Sequence, residues 1–596
     1  MDLSHVKRGY VTDPREFLRK STGEYWFTDT ETTGFELWGK DNTYSLQIMD
    51  EHGNIGIFFN TEENYHYWDK LLTQPDRVIV FFNACFDMNA IRKLKGSYPE
   101  FRRIRDVMVQ YRLLHHEGKY QLKVLIEKLL KVKTESKSAL DQWKEAYRKK
   151  RKISAQAMKF IPYDIIPPKI LIPYALDDVI YTAQLFYLTY QSIKDYKMMG
   201  IYNTECALIP ELADMKWRGI PVDSEGAYRY KVSLMHKLHR LEKKIYKTAR
   251  IRWNINSNKE TEKVMLKLGY KLRYNYTGNA QLDKFALARM KGDLPPLLSR
   301  HSSLDYEISH YLVPISSANG RLHTDLNQVG ALTGRFSSFN PNLQNMYRGP
   351  RIRRFFLPEP GHILFKADYS QIEMRVFAGR ARIQRMLGHI KAEHDLHEMA
   401  AVDCTGKSDK TLRQVFKTIN FLIIYGGGAE RLYFELQRQA IINNAPELLK
   451  VPYPRSAHFM NRYRETYNEI PQFFMAKKEE LEAQGFIRNF YGRCYFPTAF
   501  FNVNTSYKGV NYDVQGSAAD LIKRAMVKLS TLRLPMQCLL QVHDELVYSI
   551  PKDEPLEIME EEIKEAMVND KIAKLVPIKV ECEKGEDCGH PEKITD

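Results

Sequence analysis

Cysteine is scarce: seven residues among 596, an odd number, scattered along the chain. No disulfide framework can be read from such spacing, and reduced thiols in a cytoplasmic setting are the expectation. Long apolar runs are missing, so no segment reads as a bilayer-spanning helix and no membrane partner is expected from that source. Residues 1–10 lack the apolar core of a secretory signal, which argues against export. Internal repeats and low-complexity tracts are absent too, excluding solenoid and fibrous architectures. Acidic residues are in deficit, with 73 Asp and Glu against 89 Lys and Arg, a formal net charge of +16. That surplus suggests a polyanionic partner. Nucleic acid is the commonest, and an anionic membrane surface would also fit.

What is present is an ordinary globular composition, 44% hydrophobic and 27% charged, in a chain too long for one core. Two or more domains are therefore expected. Residues 24–28 and 77–82 read as strands, and 44–59, with Gly53 at its centre, as a hairpin. These alternate with helical patterns, which points to an α/β domain reaching about residue 190. From 205 to about 320 the pattern is helical and basic. Leu234, Leu238, Leu241 and Ile245 recur at helical spacing, with Lys and Arg on the other face. A basic run at 148–152 reads as a solvated loop, with DNA contact as the lesser alternative.

One set of carboxylates falls in the first part. Asp29 and Glu31 are two apart at the end of a strand, on one face of its sheet. Asp87 follows another apolar strand. Asp178 lies four residues after Tyr174 in a helical stretch, so those two share a face. Taken singly, each is a cap or a surface residue. Together they would repel one another unless cations bound between them, and hard oxygen ligands suit Mg²⁺ or Mn²⁺. Two such ions about 4 Å apart can activate a water and stabilise a phosphodiester's leaving oxygen.

A second set lies far apart in sequence. Residues 362–367 read as a strand ended by Asp368. Residues 538–542 and 546–550 read as strands around His543, Asp544 and Glu545, which puts Asp544 at an exposed turn. If Asp368 and Asp544 meet on one sheet, they form another dication site, suited to a triphosphate and a primer hydroxyl. Ser370 with Glu373 also fits a capping box, and His-Asp-Glu also fits mere turn chemistry. Spacing alone leaves both readings open. Between these strands, Arg413, Lys417, Phe421 and Tyr425 recur every fourth position and drift only about 40° per step on a helix. Cations at one end can hold phosphates, and rings at the other can pack on a sugar or base. An amphipathic core helix with two snorkelling cations is the plainer alternative.

These motifs carry a resemblance. Asp-x-Glu, Asn83-x-x-Phe86-Asp87 and Tyr174-x-x-x-Asp178 resemble the three motifs of proofreading 3′→5′ exonuclease domains with a ribonuclease H-like fold. Asp368 to Arg375, the stripe from Arg413 to Gly426, and Val542 to Glu545 resemble motifs A, B and C of family A DNA polymerases. Thr333 to Ser338, Pro341 to Asn345 and Gln515 to Asp520 fit the same family. The resemblance covers about residues 23–581 and lacks an N-terminal 5′-nuclease domain. It implies an α/β multidomain chain: a ribonuclease H-like exonuclease at 1–195, then a right-hand polymerase at 196–596. The thumb would span about 224–319, the palm 320–380 and 500–596, and the fingers 381–499.

The resemblance also implies roles. Asp29, Glu31, Asp87 and Asp178 would bind metal in the exonuclease, with Tyr174 orienting water. Asp368 and Asp544 would bind metal in the polymerase, with two Mg²⁺ per site. Arg413, Lys417 and His397 would hold the triphosphate, and Gln371 would line the nucleotide site. Glu373 would exclude a ribose 2′-hydroxyl, Phe421 would pack on the sugar, and Tyr425 would guard the insertion site. Asn511, Gln515, His543, Arg335 and Arg493 would contact DNA, Arg493 on the template strand. Primer-template DNA and deoxynucleoside triphosphates are the implied partners. A monomer is expected, and replisome partners are not readable.

Three departures stand out. Tyr507 takes a place where bacterial members carry Arg. The basic segment 131–168 has no assigned role. Cys582, Cys588 and His590 match no standard zinc spacing. The pattern suggests a bacteriophage replicase. Competing readings are a catalytically silent primer-template binding protein and a single-subunit RNA polymerase.

Overall fold

The computed structural model describes residues 9–96, 103–275, 277–346, 349–498, 501–502 and 505–593. The N-terminal stretch lies almost wholly outside the described residues.

Two five-stranded sheets organise the chain. The first is built from β1 (Tyr25–Thr32), β2 (Thr43–Asp50), β3 (Ile55–Phe59), β4 (Val78–Phe81) and β5 (Ile104–Asp106), in the order β3-β2-β1-β4-β5. β1 pairs antiparallel with β2 and parallel with β4. All four residues of β4 are buried, as its unbroken apolar run requires. Helix α1 (Ala84–Lys95) follows β4 and α2 (Val107–Leu114) follows β5. Helix α3 (Glu135–Arg151) packs on the long helix α4 (Pro168–Asp195), and α4 lies against β1. β1 runs four residues past the expected strand end, so Asp29 and Glu31 sit within it. Asp87 follows β4 as expected and lies in the first turn of α1.

The second sheet contains β6 (His362–Tyr369), β7 (Gln537–Val542), β8 (Glu545–Pro551), β9 (Val580–Gly585) and β10 (Glu592–Lys593). Its order is β7-β8-β6-β9-β10, antiparallel throughout. Between the sheets run α5 (Met199–Arg218) and α6 (Ser224–Ala249). Leu234, Leu241 and Ile245 of α6 are buried, as the helical spacing required. Later come α7 (Ile372–Arg380), α8 (Leu396–Thr405), α9 (Lys410–Ile424) and α10 (Lys508–Thr531).

One contiguous apolar core joins these parts. It takes in Phe17 and Trp26 near the first sheet, Tyr202, Cys206 and Leu208 on α5, and Phe365 and Met374 near the second sheet. A buried ion network reinforces the same junction. Arg493 is 4% exposed; it pairs with Glu205 of α5 and, at 2.5 Å, with Asp520 of α10. Lys523 completes the network by donating to Glu205 at 2.6 Å. The expected template contact by Arg493 is thus corrected: its guanidinium is enclosed between two carboxylates, with no face left for a DNA strand.

Of the two readings left open for Ser370 and Glu373, the capping box is not realised. α7 begins at Ile372 behind Gln371, whose φ of 50° is left-handed and whose side chain makes no cap bond. Ser370 is therefore outside the cap position, and the Glu373 carboxylate turns to Arg335, Gln515 and Tyr425. Cys582 and Cys588 are buried in different apolar clusters, while His590 binds Asp587 at 2.9 Å. The three do not converge.

Candidate active sites

Asp29, Glu31 and Asp178 offer oxygens that all lie within 4.8 Å of one another. β1 presents the first two on the face covered by α4, and α4 supplies the third one turn after Tyr174. Burial pushes the Asp29 carboxyl up to about 7. Burial, then the Asp29 charge, raises Glu31 well above the usual carboxylate range. Asp87 stands outside the trio and accepts from Thr30 Oγ1 at 2.7 Å. Burial and the Asp29 charge raise it as well. This is a crowded acidic site whose donor set fits hard divalent cations.

Lys123, which sequence reasoning missed, enters this site. Its ammonium pairs with Asp178 and sits 4.0 Å from the centre of the Tyr174 ring. Burial lowers it to about 8, although Asp29 and Glu31 pull the other way. A single lysine on a one-turn helix gives no sequence signal. Tyr174 meets Tyr163 edge to face at 6.3 Å.

The second site lies where β6 meets the β7–β8 turn. Val542 pairs with Glu545, leaving His543 and Asp544 as a two-residue loop, with His543 at φ 55°. Asp368 lies opposite Glu545 across the ladder, one residue from Asp544, and Tyr369 N–H donates to the Asp544 carbonyl at 3.2 Å. Both aspartates line an open cleft of about 530 Å³. Asp544 is partly covered rather than fully exposed, at 29%.

His397, Lys417, Phe421 and Tyr425 line the same cleft. The stripe therefore reaches the aspartates, and Phe421 and Tyr425 are 38% and 41% exposed. α9 itself ends at Ile424, so Tyr425 caps it. Gly426 follows at φ 69°, and a Cβ there would strike the Tyr507 ring; glycine is required on both counts. Arg413 sits at the far end, donating to Asp395 at 2.5 Å rather than lining the cleft. Asp395 in turn caps α8.

His397 is buried, and Asn420 Nδ2 bonds its Nδ1 at 2.8 Å. Tyr463 O–H donates to Asn420 Oδ1 and fixes that amide, so the ring's proton belongs on Nε2. Burial lowers His397 to about 4, with Lys417 and Arg413 acting in the same direction. Glu373 is clamped from three sides. Arg335 pairs with it, Gln515 Nε2 donates at 3.2 Å, and Tyr425 O–H donates at 3.4 Å. Arg335 also lies 3.8 Å from Asp544. Asn511 sits one turn before Gln515 on α10. Gln371 lines the cleft. Gln344, quoted within a motif but given no role, accepts from the His543 backbone N–H at 3.0 Å and so braces the His543–Asp544 turn.

Residues 225–590 match the model of DNA polymerase family A, which is more than half of the chain. The chain belongs to DNA polymerase family A. Residues 14–189 match a 3′-5′ exonuclease model. Members of both families depend on divalent metal. The family's relatives include DNA polymerase I of Caldicellulosiruptor bescii, 32% identical over 410 residues, covering 64% of this chain and 46% of the relative. DNA polymerase I of Treponema pallidum is 28% identical over 550 residues, covering 88% and 52%. The thermostable enzyme of Thermus filiformis is 33% identical over 417 residues, covering 66% and 48%. The chain thus spans about half the length of these relatives. Among solved structures, the polymerase domain of Pol1 from M. smegmatis, in complex with DNA primer-template and dNTP, matches with TM-score 0.79. It is 22% identical and aligns over 98% of this chain and 100% of that one, which establishes the shared fold. No described helix is long and apolar enough to cross a membrane.

Proposed function

We propose that this chain is a template-directed DNA polymerase that also trims 3′ ends by 3′→5′ exonucleolysis. One observation carries the reading: two separate acidic centres on two sheets, one of them facing a helix that presents a cation and two rings. Asp368 and Asp544 would hold Mg²⁺ at the polymerase centre; Asp29, Glu31 and Asp178, with Asp87 beside them, would hold it at the exonuclease. Bound there, the metal supplies Lewis acidity toward phosphoryl oxygens.

The chain's own residues do the rest. Lys417 and the Nε2–H of His397 meet the triphosphate. Arg413 joins them after exchanging Asp395 for phosphate, a swap a fingers movement can deliver. Phe421 packs on the sugar, and Glu373, fixed by its three partners, fills the space a 2′-hydroxyl would need. Tyr174 orients the attacking water in the exonuclease. Asn511, Gln515 and His543 would face the primer-template minor groove, where every base pair offers acceptors. The palm would comprise the second sheet, the fingers α8 and α9, and the thumb α6.

The test is paired. Asp544→Ala should abolish primer extension and leave single-strand digestion intact; Asp29→Ala should do the reverse. If each variant kept both activities, the proposal would be wrong. Ribonucleotides incorporated as fast as deoxynucleotides would favour an RNA polymerase instead.

A further inference from the structure

The segment 131–168 is a basic stretch that the two candidate centres leave unused, and its main helix lies beside the first of them. Lys137, Lys144 and Arg151 recur every seventh residue on α3, so they fall within about 40° of one another, roughly 10 Å apart along the axis. The adjoining face of α3 is seated on the exonuclease unit. Leu140 is buried in one small cluster with Tyr174, and Trp143 packs against it. Ser136 O–H donates to Asp177, the neighbour of Asp178. Lys144 Nζ donates to the Tyr163 hydroxyl at 3.3 Å, and Tyr163 meets the Tyr174 ring. The stripe therefore begins beside the acidic trio and leads away from it. Next to it, Trp143 stacks on Tyr147 at 5.0 Å, and Arg151 lies 5.8 Å from the Tyr147 ring.

We propose that α3 is a docking track for the single-stranded 3′ end of a polynucleotide, with Lys137, Lys144 and Arg151 binding successive backbone phosphates and the Trp143–Tyr147 pair offering a stacking platform. The physical need is clear. A cluster of carboxylates repels the polyanion it must cleave, and a line of cations leading to it offsets that repulsion. A single row on one helix fits one strand, not a duplex. Aromatic rings beside a basic row are what sequence-independent single-strand binding requires. The Lys137–Asp141 pair at 2.6 Å is solvent-exposed and gives way readily to a phosphate.

This inference rests on the exonuclease reading of the trio, and the experiment separates the two. The combined variant Lys137→Ala, Lys144→Ala, Arg151→Ala is assayed with a single-stranded oligonucleotide and Mg²⁺ across a salt series. Its KM should rise at least about ten-fold, and the slope of log KM against log salt should fall by about 2, near 0.7 per lost phosphate contact. Primer extension on a matched duplex should be unchanged. Lys144→Arg should keep the wild-type KM, and Arg151→Glu, at the exposed end, should raise it alone. An unchanged KM and salt slope in the triple variant, or a loss confined to kcat, overturns the track. Digestion surviving in Asp29→Ala would instead overturn the exonuclease reading beneath it.

Discussion

Individual side chains carry the sharpest tests. Glu373 is buried and held by Arg335, Gln515 and Tyr425. Glu373→Ala should raise ribonucleotide incorporation relative to deoxynucleotide by about 10- to 200-fold, the range that excluding one small group commands. Competition between the two nucleotide types on one primer measures it. Arg493 tests a conflict between sequence and structure. If it gripped template, Arg493→Met would weaken DNA binding and leave stability alone. In the observed network the substitution leaves Glu205 and Asp520 underpaired, so it should cost about 3–5 kcal/mol in denaturant unfolding. The clustering of Asp29, Glu31 and Asp178 was legible because strand and helix periodicity fixes which face each carboxylate takes. Arg493 misled because an arginine in a motif gives no sign of its burial, and Lys123 was invisible because no spacing marks it.

Elements decide where those residues meet. β1 was legible as a strand from its apolar start, but its acidic second half hid its true length; Asp29 and Glu31 continue the ladder with β2. The β7–β8 hairpin was legible because two apolar runs flank a two-residue loop. The α7 start was not, since Gln371 adopts a left-handed backbone that the Ser370–Glu373 spacing does not announce.

A pH effect belongs at this scale. His116, just past α2, stacks between Tyr495 at 5.7 Å and Phe496 at 6.0 Å. Burial, then Arg112 and Arg493, lowers it to about 3. Its folded value lies below its unfolded value, so the unfolded chain takes up the proton first. Its contribution to stability is therefore intact above about pH 6.5 and is lost as pH falls toward about 3. Melting temperature should drop over that interval, and His116→Gln should flatten the drop; an identical pH profile in the variant would remove His116 from the account.

Across the whole molecule the charge surplus predicts a binding property. Lys237, Lys284, Arg300 and Arg351 line a second cleft of about 780 Å³ beside α6. Reversing two of these charges should weaken primer-template affinity equally for all sequences and reduce its salt slope by about 0.9 per contact. Fluorescence anisotropy across a salt series reads both. Fold class and the order of the two units were legible from motif order and composition. The way the units adhere was not, because it depends on apolar residues of α5 that read as an ordinary helix face.

That adhesion limits how the chain can be cut. Phe17 and Trp26 share one core with Phe365 and Met374 through α5, and Lys523 reaches back to Glu205. A protease or a gene dissection that separates the units ahead of α5 keeps the seam on the C-terminal fragment, which retains its ion network but bares the apolar side that met the first sheet. A cut after α5 strips Glu205 away and leaves Lys523 with a buried charge and a missing partner. Minimal fragments of the second unit should therefore begin upstream of Met199, and the excised N-terminal unit should need solubilising substitutions where α5 once lay.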